Sequence, residues 1–239
     1  MKFSTPSINP VAVRKDDIRT LFTNITPRYD LLNDLLSFRL DAVWRSRAVQ
    51  IGLKKPAGRL LDIGAGTGKL LGAFLKKGSF KYALGLDLCE SMLEKAKKEA
   101  GANTFLTCAD GTALPLKDKS FDLAVSAFTL RSIPDLSKFF SELYRVLAPG
   151  GRIVMLELTR PQSWWLRAAY YPYLRFYLPF LGWLISGDRH AYRFLADSIS
   201  HFKERGELLA FITSEGFQNA DALNLTGGLA TIFVAEKPS

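Results

Sequence analysis

Residues Leu60 to Lys69 read L-L-D-I-G-A-G-T-G-K, an apolar run that breaks into a turn with glycines at three alternate positions, Gly64, Gly66 and Gly68. Glycine tolerates dihedrals that other side chains forbid, so such a turn lets backbone N–H groups come close to a bound molecule. A second apolar stretch, Gly85-Leu86-Asp87-Leu88, then runs into a carboxylate. An acid at a strand tip beside a glycine turn can hold both hydroxyls of a ribose. Together the two runs predict a strand, turn, helix and strand that bind a nucleoside.

The charge around the turn narrows the nucleoside. A dinucleotide site has the pattern G-x-G-x-x-G, whereas this chain has D-x-G-x-G-x-G, with Asp62 just ahead of the turn. A carboxylate there repels a pyrophosphate and suits a cationic ligand or the N–H groups of the turn. That favours S-adenosylmethionine, with its sulfonium and ammonium charges. A phosphate loop needs Ser or Thr after Gly-Lys, and here Gly68-Lys69 is followed by Leu70. Asp62, Gly64, Gly66, Thr67, Gly68 and Asp87 are the candidate cofactor residues.

With 239 residues and 48% hydrophobic content, the chain can fill the core of one α/β domain with appendages. The net charge of +9 implies attraction to an anionic partner, a membrane surface or a nucleic acid. Lys76, Lys77, Lys81, Lys95, Lys97 and Lys98 fall on helix faces and ends near the nucleoside site, where most are expected to be solvated. The basic residues are not gathered with aromatics that would stack bases, so no nucleic-acid role is expected. Cys89 and Cys108 form neither a disulfide framework nor a zinc motif, which points to a reducing, cytoplasmic setting. No secretory leader and no apolar run of spanning length is visible. His190 and His201 lack metal-type partners, so no metal site is expected.

Apolar runs near 59–63, 82–87, 104–108, 121–127 and 151–158 alternate with segments of helical spacing, which predicts a parallel sheet covered by helices. Two last runs, about 217–225 and 229–236, are separated by Thr226-Gly227-Gly228 and predict a hairpin. The chain divides into an N-terminal helical cap (11–55), a cofactor-binding core (58–158), an insert (160–205) and a C-terminal helix with hairpin (206–239). In the cap, Leu31, Leu32, Leu35, Leu36, Leu40 and Val43 suggest a buried stripe. The insert carries nine aromatics, Trp164, Trp165, Tyr170, Tyr171, Tyr173, Phe176, Tyr177, Phe180 and Trp183, interrupted by Pro172 and Pro179 and joined by Arg167 and Arg175. Such a segment either closes the core or covers a lipid-like ligand at an interface.

Leu21 to Arg45, with Y-D-L-L-N at Tyr29 to Asn33 and W-R at Trp44-Arg45, resembles the N-terminal signature of the ubiquinone/menaquinone biosynthesis C-methyltransferases. The resemblance continues through F-T-L-R-S-I-P-D (Phe128 to Asp135), R-V-L-A-P-G-G-R (Arg145 to Arg152), L-E-L-T-R-P (Leu156 to Pro161), A-Y-R-F-L-A-D-S-I (Ala191 to Ile199) and T-G-G-L-A (Thr226 to Ala230). It implies an α/β class I methyltransferase fold, Rossmann-like, with a seven-stranded, mostly parallel sheet and an antiparallel last strand. It also implies S-adenosylmethionine as cofactor and a polyprenyl quinol, benzoquinol or naphthoquinol, as methyl acceptor at a membrane surface. Asp110 and Gly111 align with its adenine-side acid motif. Ala127 stands where the family has a serine near the methionine part of the cofactor.

Methylation of a ring carbon needs an adjacent hydroxyl that is ionised or nearly so, which means lowering a phenol pKa of about 10. A guanidinium beside the oxygen favours the charged form. Arg131 is the candidate for that, and Tyr29 for orienting the hydroxyl or relaying its proton. The family's F-G-L-R-N is Phe128-Thr129-Leu130-Arg131-Ser132 here, a change at the substrate side. Two alternatives therefore stay open: a methyltransferase for another phenolic or lipid small molecule, and an inactive relative that binds quinone lipid. A homodimer is likewise open.

Overall fold

A computed structural model of the chain describes residues 15–177, 180 and 196–239. Three short helices come first: α1 (Lys15–Ile25), α2 (Tyr29–Leu36) and α3 (Leu40–Gly52). Pro27 and the left-handed residues Phe38 and Arg39 separate them, because neither a proline mid-helix nor a positive φ continues a right-handed helix. Then follow β1 (Arg59–Ile63), α4 (Lys69–Lys77), β2 (Tyr82–Asp87), α5 (Glu90–Ala96), β3 (Thr104–Cys108), β4 (Phe121–Ala127), α6 (Leu136–Val146) and β5 (Leu147–Leu158). The chain continues through α7 (Trp164–Pro172), a π-helical turn (Tyr173–Tyr177), a helix at Arg205–Ser214, β6 (Gln218–Leu225) and β7 (Ala230–Glu236).

The strands form one seven-stranded sheet in the order β3-β2-β1-β4-β5-β7-β6. Neighbours from β3 to β5 pair in parallel, and β7 runs antiparallel to both β5 and β6. The 217–236 region is thus the expected hairpin, with its second strand wedged against β5. Leu60, Leu61, Ile63, Leu123, Ala124 and Val125 are wholly or almost wholly buried, as strands covered on both faces require. One core layer joins β strands to α6 and the Arg205–Ser214 helix through Phe139, Phe140 and Phe217. The other packs α3 and α4 through Trp44, Val49 and Phe74. β1 and β4 sit at the centre, so the crevice where the chain direction of the winding reverses lies at their C-terminal ends, beside the glycine turn.

The expected stripe of the cap splits in two. Leu32 and Leu36 are buried, against Leu174, Ala196 and Ile199 of the insert region, whereas Leu31, Leu35 and Val43 are exposed. Leu40 is intermediate. Leu31/Leu35 and Leu32/Leu36 are two i,i+4 pairs set one residue apart, so the apolar arc is wider than the face that α2 buries. Phe38, 68% exposed, extends the uncovered side.

Candidate active site

β1 ends at Ile63 and the glycine turn begins at once. Gly64, Gly66 and Gly68 have φ of 69°, 54° and 81°, the left-handed region in which glycine avoids strain. A side chain on Gly66 would meet nothing within 4 Å, so its bare Cα faces open space. Gly64 is different: a Cβ there would lie 2.3 Å from Thr129 Oγ1 and 2.5 Å from its Cγ2. Thr129 therefore fills the space over Gly64. Its hydroxyl donates to the carbonyl of Ala127 at 3.2 Å.

Asp87 fixes the turn to the tip of β2. Its Oδ2 accepts from Gly66 N at 2.8 Å and its Oδ1 from Cys89 N at 2.8 Å, and each oxygen keeps a further acceptor site. Burial raises its pKa despite those N–H groups. Asp62 lies below the turn, fully buried, with no hydrogen-bond partner for either oxygen. Burial, with the charge of Asp87 added, pushes its pKa up to about 7. An orphaned acid beside a turn that exposes N–H groups fits a cationic ligand, since a nearby positive charge is what would stabilise its ionised form.

The turn opens on a cavity of about 100 Å³. Of the candidate cofactor residues, Gly64, Gly66, Asp87, Asp110, Gly111 and Ala127 line it. Asp62, Thr67 and Gly68 are not on its wall: Asp62 lies beneath, the Thr67 hydroxyl donates to Asp30 Oδ1 at 2.8 Å, and Gly68 caps α4. Asp110 accepts from Thr112 N at 2.8 Å and pairs with Lys15, which reaches over from α1. Burial works against its charge, but Lys15 and Thr112 hold its carboxyl below the usual range. Ile18, Arg19 and Phe22 of α1 complete the roof. Several of the lysines nearby are engaged rather than merely solvated: Lys69 with Asp34 at 2.8 Å, Lys76 with Glu99 at 2.9 Å, Lys77 with the Ser46 hydroxyl at 3.3 Å, Lys97 with Glu94 at 2.7 Å, and Lys95 with the carbonyls of Thr26 and Pro27.

A second cavity, of about 270 Å³, adjoins the first, and Tyr29 and Phe128 line both. Its wall is largely aliphatic and aromatic, from α2, α3, the turn after β4, β5, α7 and the π-helical turn. Arg131 is in that wall. Its Nη1 pairs with Oε1 of Glu157, which also accepts from Leu158 N at 2.8 Å, and Glu157 is 0% exposed. Arg131 Nε is buried and has no partner. A second buried pair, Asp41 with Arg45 on α3, lies in the same wall. Ser37 Oγ donates to Asp41 Oδ1 at 2.9 Å. Burial opposes the charge of Asp41, yet Arg45 and the Ser37 hydroxyl lower its pKa.

The aromatic insert contributes to both the cavity and the surface. Tyr170 and Tyr173 line the cavity with rings stacked at 6.1 Å, and Tyr173 donates to the carbonyl of Leu36. Burial raises the pKa of both phenols. Trp164, Trp165, Phe176 and Phe180 are exposed, with Trp164 at 80%. Trp183 and His190 lie outside the described residues. His201 has Nδ1 2.8 Å from the carbonyl of Asp197, and no group of residues able to hold a metal occurs among the described residues.

Sequence reasoning did not single out Asp41, Arg45 or Glu157. For Glu157 a signal was present, a lone acid inside the apolar strand I-V-M-L-E-L. A buried strand carrying one carboxylate asks for a partner. For Asp41 and Arg45 the i,i+4 spacing was visible, but such pairs are common on exposed helix faces.

Comparison with known proteins agrees with this arrangement. Residues 11–237 match the model of the ubiE/COQ5 methyltransferase family. The chain is 42% identical over 222 residues to the demethylmenaquinone methyltransferase of Thermus thermophilus, covering 91% of this chain and 100% of that protein. It is 39% identical over 220 residues to the ubiquinone/menaquinone biosynthesis C-methyltransferase UbiE of Syntrophotalea carbinolica, covering 91% and 92% of the two chains. Among solved structures it resembles an S-adenosylmethionine-dependent methyltransferase from Thermotoga maritima, with TM-score 0.67 and 21% identity over 92% of this chain and 99% of that one, a likeness of fold. With the glycine turn, the acid at the tip of β2 and the match along almost its whole length, the chain belongs to the ubiE/COQ5 methyltransferase family and is an S-adenosylmethionine-dependent methyltransferase.

Proposed function

We propose that the protein methylates a ring carbon of a polyprenylated quinol of the demethylmenaquinol type, in quinone biosynthesis. The observation that carries this reading is the pair of adjoining cavities: a cofactor-side cavity built on the glycine turn, and a larger apolar one with Arg131 in its wall, meeting at Tyr29 and Phe128. The relatives named above are called demethylmenaquinone and ubiquinone/menaquinone methyltransferases, which supports a quinol ring as acceptor.

Gly64, Gly66, Asp87, Asp110, Gly111 and Ala127 would hold S-adenosylmethionine, with Asp62 beneath as a compensating charge and Thr67 and Gly68 shaping the turn. The cofactor supplies the methyl group as an electrophile on sulfur. Arg131, in the cavity wall, stabilises negative charge on the ring oxygen next to the reacting carbon, held in place by its pairing with Glu157. Tyr29, on the boundary of both cavities, orients that hydroxyl. The apolar wall excludes water, which strengthens each of these contacts.

The exposed side chains of Leu31, Leu35, Phe38, Trp164, Trp165 and Phe176 belong to the elements that enclose the acceptor cavity. Among the described residues no helix is long and apolar enough to cross a membrane. This face rests on the cytoplasmic membrane surface, from which the prenyl chain enters. With a net charge of +9, basic residues near anionic headgroups add about 1 kcal/mol each.

Quinone mass spectrometry in cells lacking the protein tests the activity: a precursor one methylene unit lighter accumulates if the reading holds, and an unchanged quinone profile refutes it. For the surface, liposome co-sedimentation compares the wild type with a variant carrying Trp164→Ser, Trp165→Ser and Phe176→Ser. The variant is expected to lose binding to anionic vesicles, and equal partitioning of the two proteins removes the membrane assignment.

A further inference from the structure

The acceptor cavity contains more charge than one activating arginine requires. Arg131, from the turn after β4, lines the apolar wall with its partner Glu157 of β5 buried behind it, while Asp41 and Arg45, both from α3, line the same wall as a pair. Asp41 is 3% exposed and Arg45 8%. A buried ion pair usually costs as much in desolvation as it returns, and apolar residues of similar volume would serve the fold as well or better. A second pair in a greasy pocket is therefore evidence for a ligand with a second polar edge.

Phe128 relates the two pairs. The Arg45 guanidinium carbon stands 5.2 Å from the centre of the Phe128 ring, and Arg131 follows three residues after Phe128 on the same turn. Trp44, from the same helix as Asp41 and Arg45, meets Phe128 edge-on with centroids 6.3 Å apart. Phe128 has φ of 61°, a positive value rare for an aromatic residue, and such backbone cost is retained where a side chain must be aimed. Phe128 also lines the cofactor-side cavity, so an aromatic acceptor lodged beside it has one charged pair on the β4 turn and the other on α3.

We propose that Asp41, held by Arg45 and Ser37, is a specificity residue that accepts a hydrogen bond from the second hydroxyl of a dihydroxy ring, the one that Arg131 does not activate. This rests on the quinol reading above and deepens it. An ionised carboxylate accepts and cannot donate, so Asp41 rewards the reduced, dihydroxy ring and gains nothing from a ring that lacks that hydroxyl. A site built to pair a substrate hydroxyl rejects the analogue without it more strongly than an apolar pocket can, because the buried acceptor is left unpaired. Arg45 and Ser37 keep the carboxylate charged and aimed.

The test uses the full chain loaded with S-adenosylhomocysteine and titrated calorimetrically with a short-chain alkyl hydroquinone and with the matched phenol lacking the second hydroxyl. The wild type is expected to bind the hydroquinone at least about tenfold more tightly, as a charge-assisted hydrogen bond implies. Asp41→Leu combined with Arg45→Met removes the pair without leaving a lone charge, and should bring the ratio near one while phenol and S-adenosylhomocysteine affinities hold. If that double variant does not bind S-adenosylhomocysteine and so has not folded, Asp41→Asn decides, with the ratio expected to fall at least about threefold. A wild-type ratio below two, or an unchanged ratio in the deciding variant, overturns the proposal. Failure of the wild type to bind either compound refutes the quinol reading itself, and this proposal with it.

Discussion

The cofactor side and the acceptor side of the site are built by opposite means. The first has a floor made mostly of backbone within one stretch of chain, a glycine turn and an acid at the next strand tip with N–H groups tied to that acid, under a roof from α1. The second is made of side chains brought together from distant parts of the chain, and its charge is carried by Arg131 and the Asp41–Arg45 pair in an apolar wall. Backbone sites are insensitive to most substitutions but intolerant of added atoms. Side-chain sites tolerate added bulk at many points, yet depend on every buried charge keeping its partner.

The largest expected effect lies on the acceptor side. Arg131→Ala leaves Glu157 buried and unpaired, which should cost about 3–5 kcal/mol of stability and lower turnover on the order of 100-fold. Arg131→Met with Glu157→Leu should recover the stability in chemical denaturation and stay inactive. Recovery of methyl transfer in that double variant would remove Arg131 from the chemistry.

On the cofactor side, Asp62 gives a pH signature. Its folded pKa, about 7, lies above its unfolded value of 3.8, so the folded state holds the proton more tightly. Stability attributable to Asp62 is therefore full below the unfolded pKa, declines as pH rises toward 7 and is flat above it, a change on the order of 4 kcal/mol at 1.36 per unit. Asp62→Asn should flatten that slope in unfolding curves recorded from pH 4 to 8. The raised pKa of Asp87 gives a trend of the same sign, so an identical slope in wild type and variant assigns the whole effect to Asp87.

Next in size, Asp87→Ala should weaken S-adenosylhomocysteine binding by roughly 2–4 kcal/mol. It removes the proposed ribose acceptor and frees Gly66 N–H together. Unchanged affinity in calorimetry would displace Asp87 from the site. The smallest effect is expected from Gly64→Ala, about 1–3 kcal/mol of stability from its left-handed backbone and the clash with Thr129. Adding Thr129→Gly should return only the clash part, since the dihedral cost remains. Full recovery would mean that the backbone strain is negligible there.

The same contrast explains what could be read in advance. β1, β2 and β4 follow from apolar runs because strands covered on both faces have no other composition, and the glycine turn follows because its constraint is local. Leu31, Leu35 and Val43 were misplaced into the buried stripe because periodicity shows that α2 and α3 have an apolar side, not how much of it another element covers. Asp41, Arg45 and Arg131 line one wall although 90 positions separate Asp41 from Arg131 by sequence number. Only their neighbours across the fold make those charges unusual. Of the aromatic cluster, Tyr170 and Tyr173 line the apolar cavity while Trp164 and Phe176 are exposed, a division that composition alone does not carry.

The wedging of β7 between β5 and β6 has a consequence for how the chain reaches this state. β5 ends at Leu158, yet its partner on the open side begins at Ala230, so its edge groups wait for nearly the last strand of the sequence. The β6–β7 hairpin is local and can form early, whereas its docking on β5 closes a long loop. That loop holds α7 and the π-helical turn, which line the larger cavity. Loop-closure entropy rises only by about 0.6 kcal/mol for each doubling of length. The cover between the two strands can therefore lengthen or shorten over evolution with little penalty to the sheet, while every copy of the chain passes through a stage in which β5 is an unpaired, aggregation-prone edge.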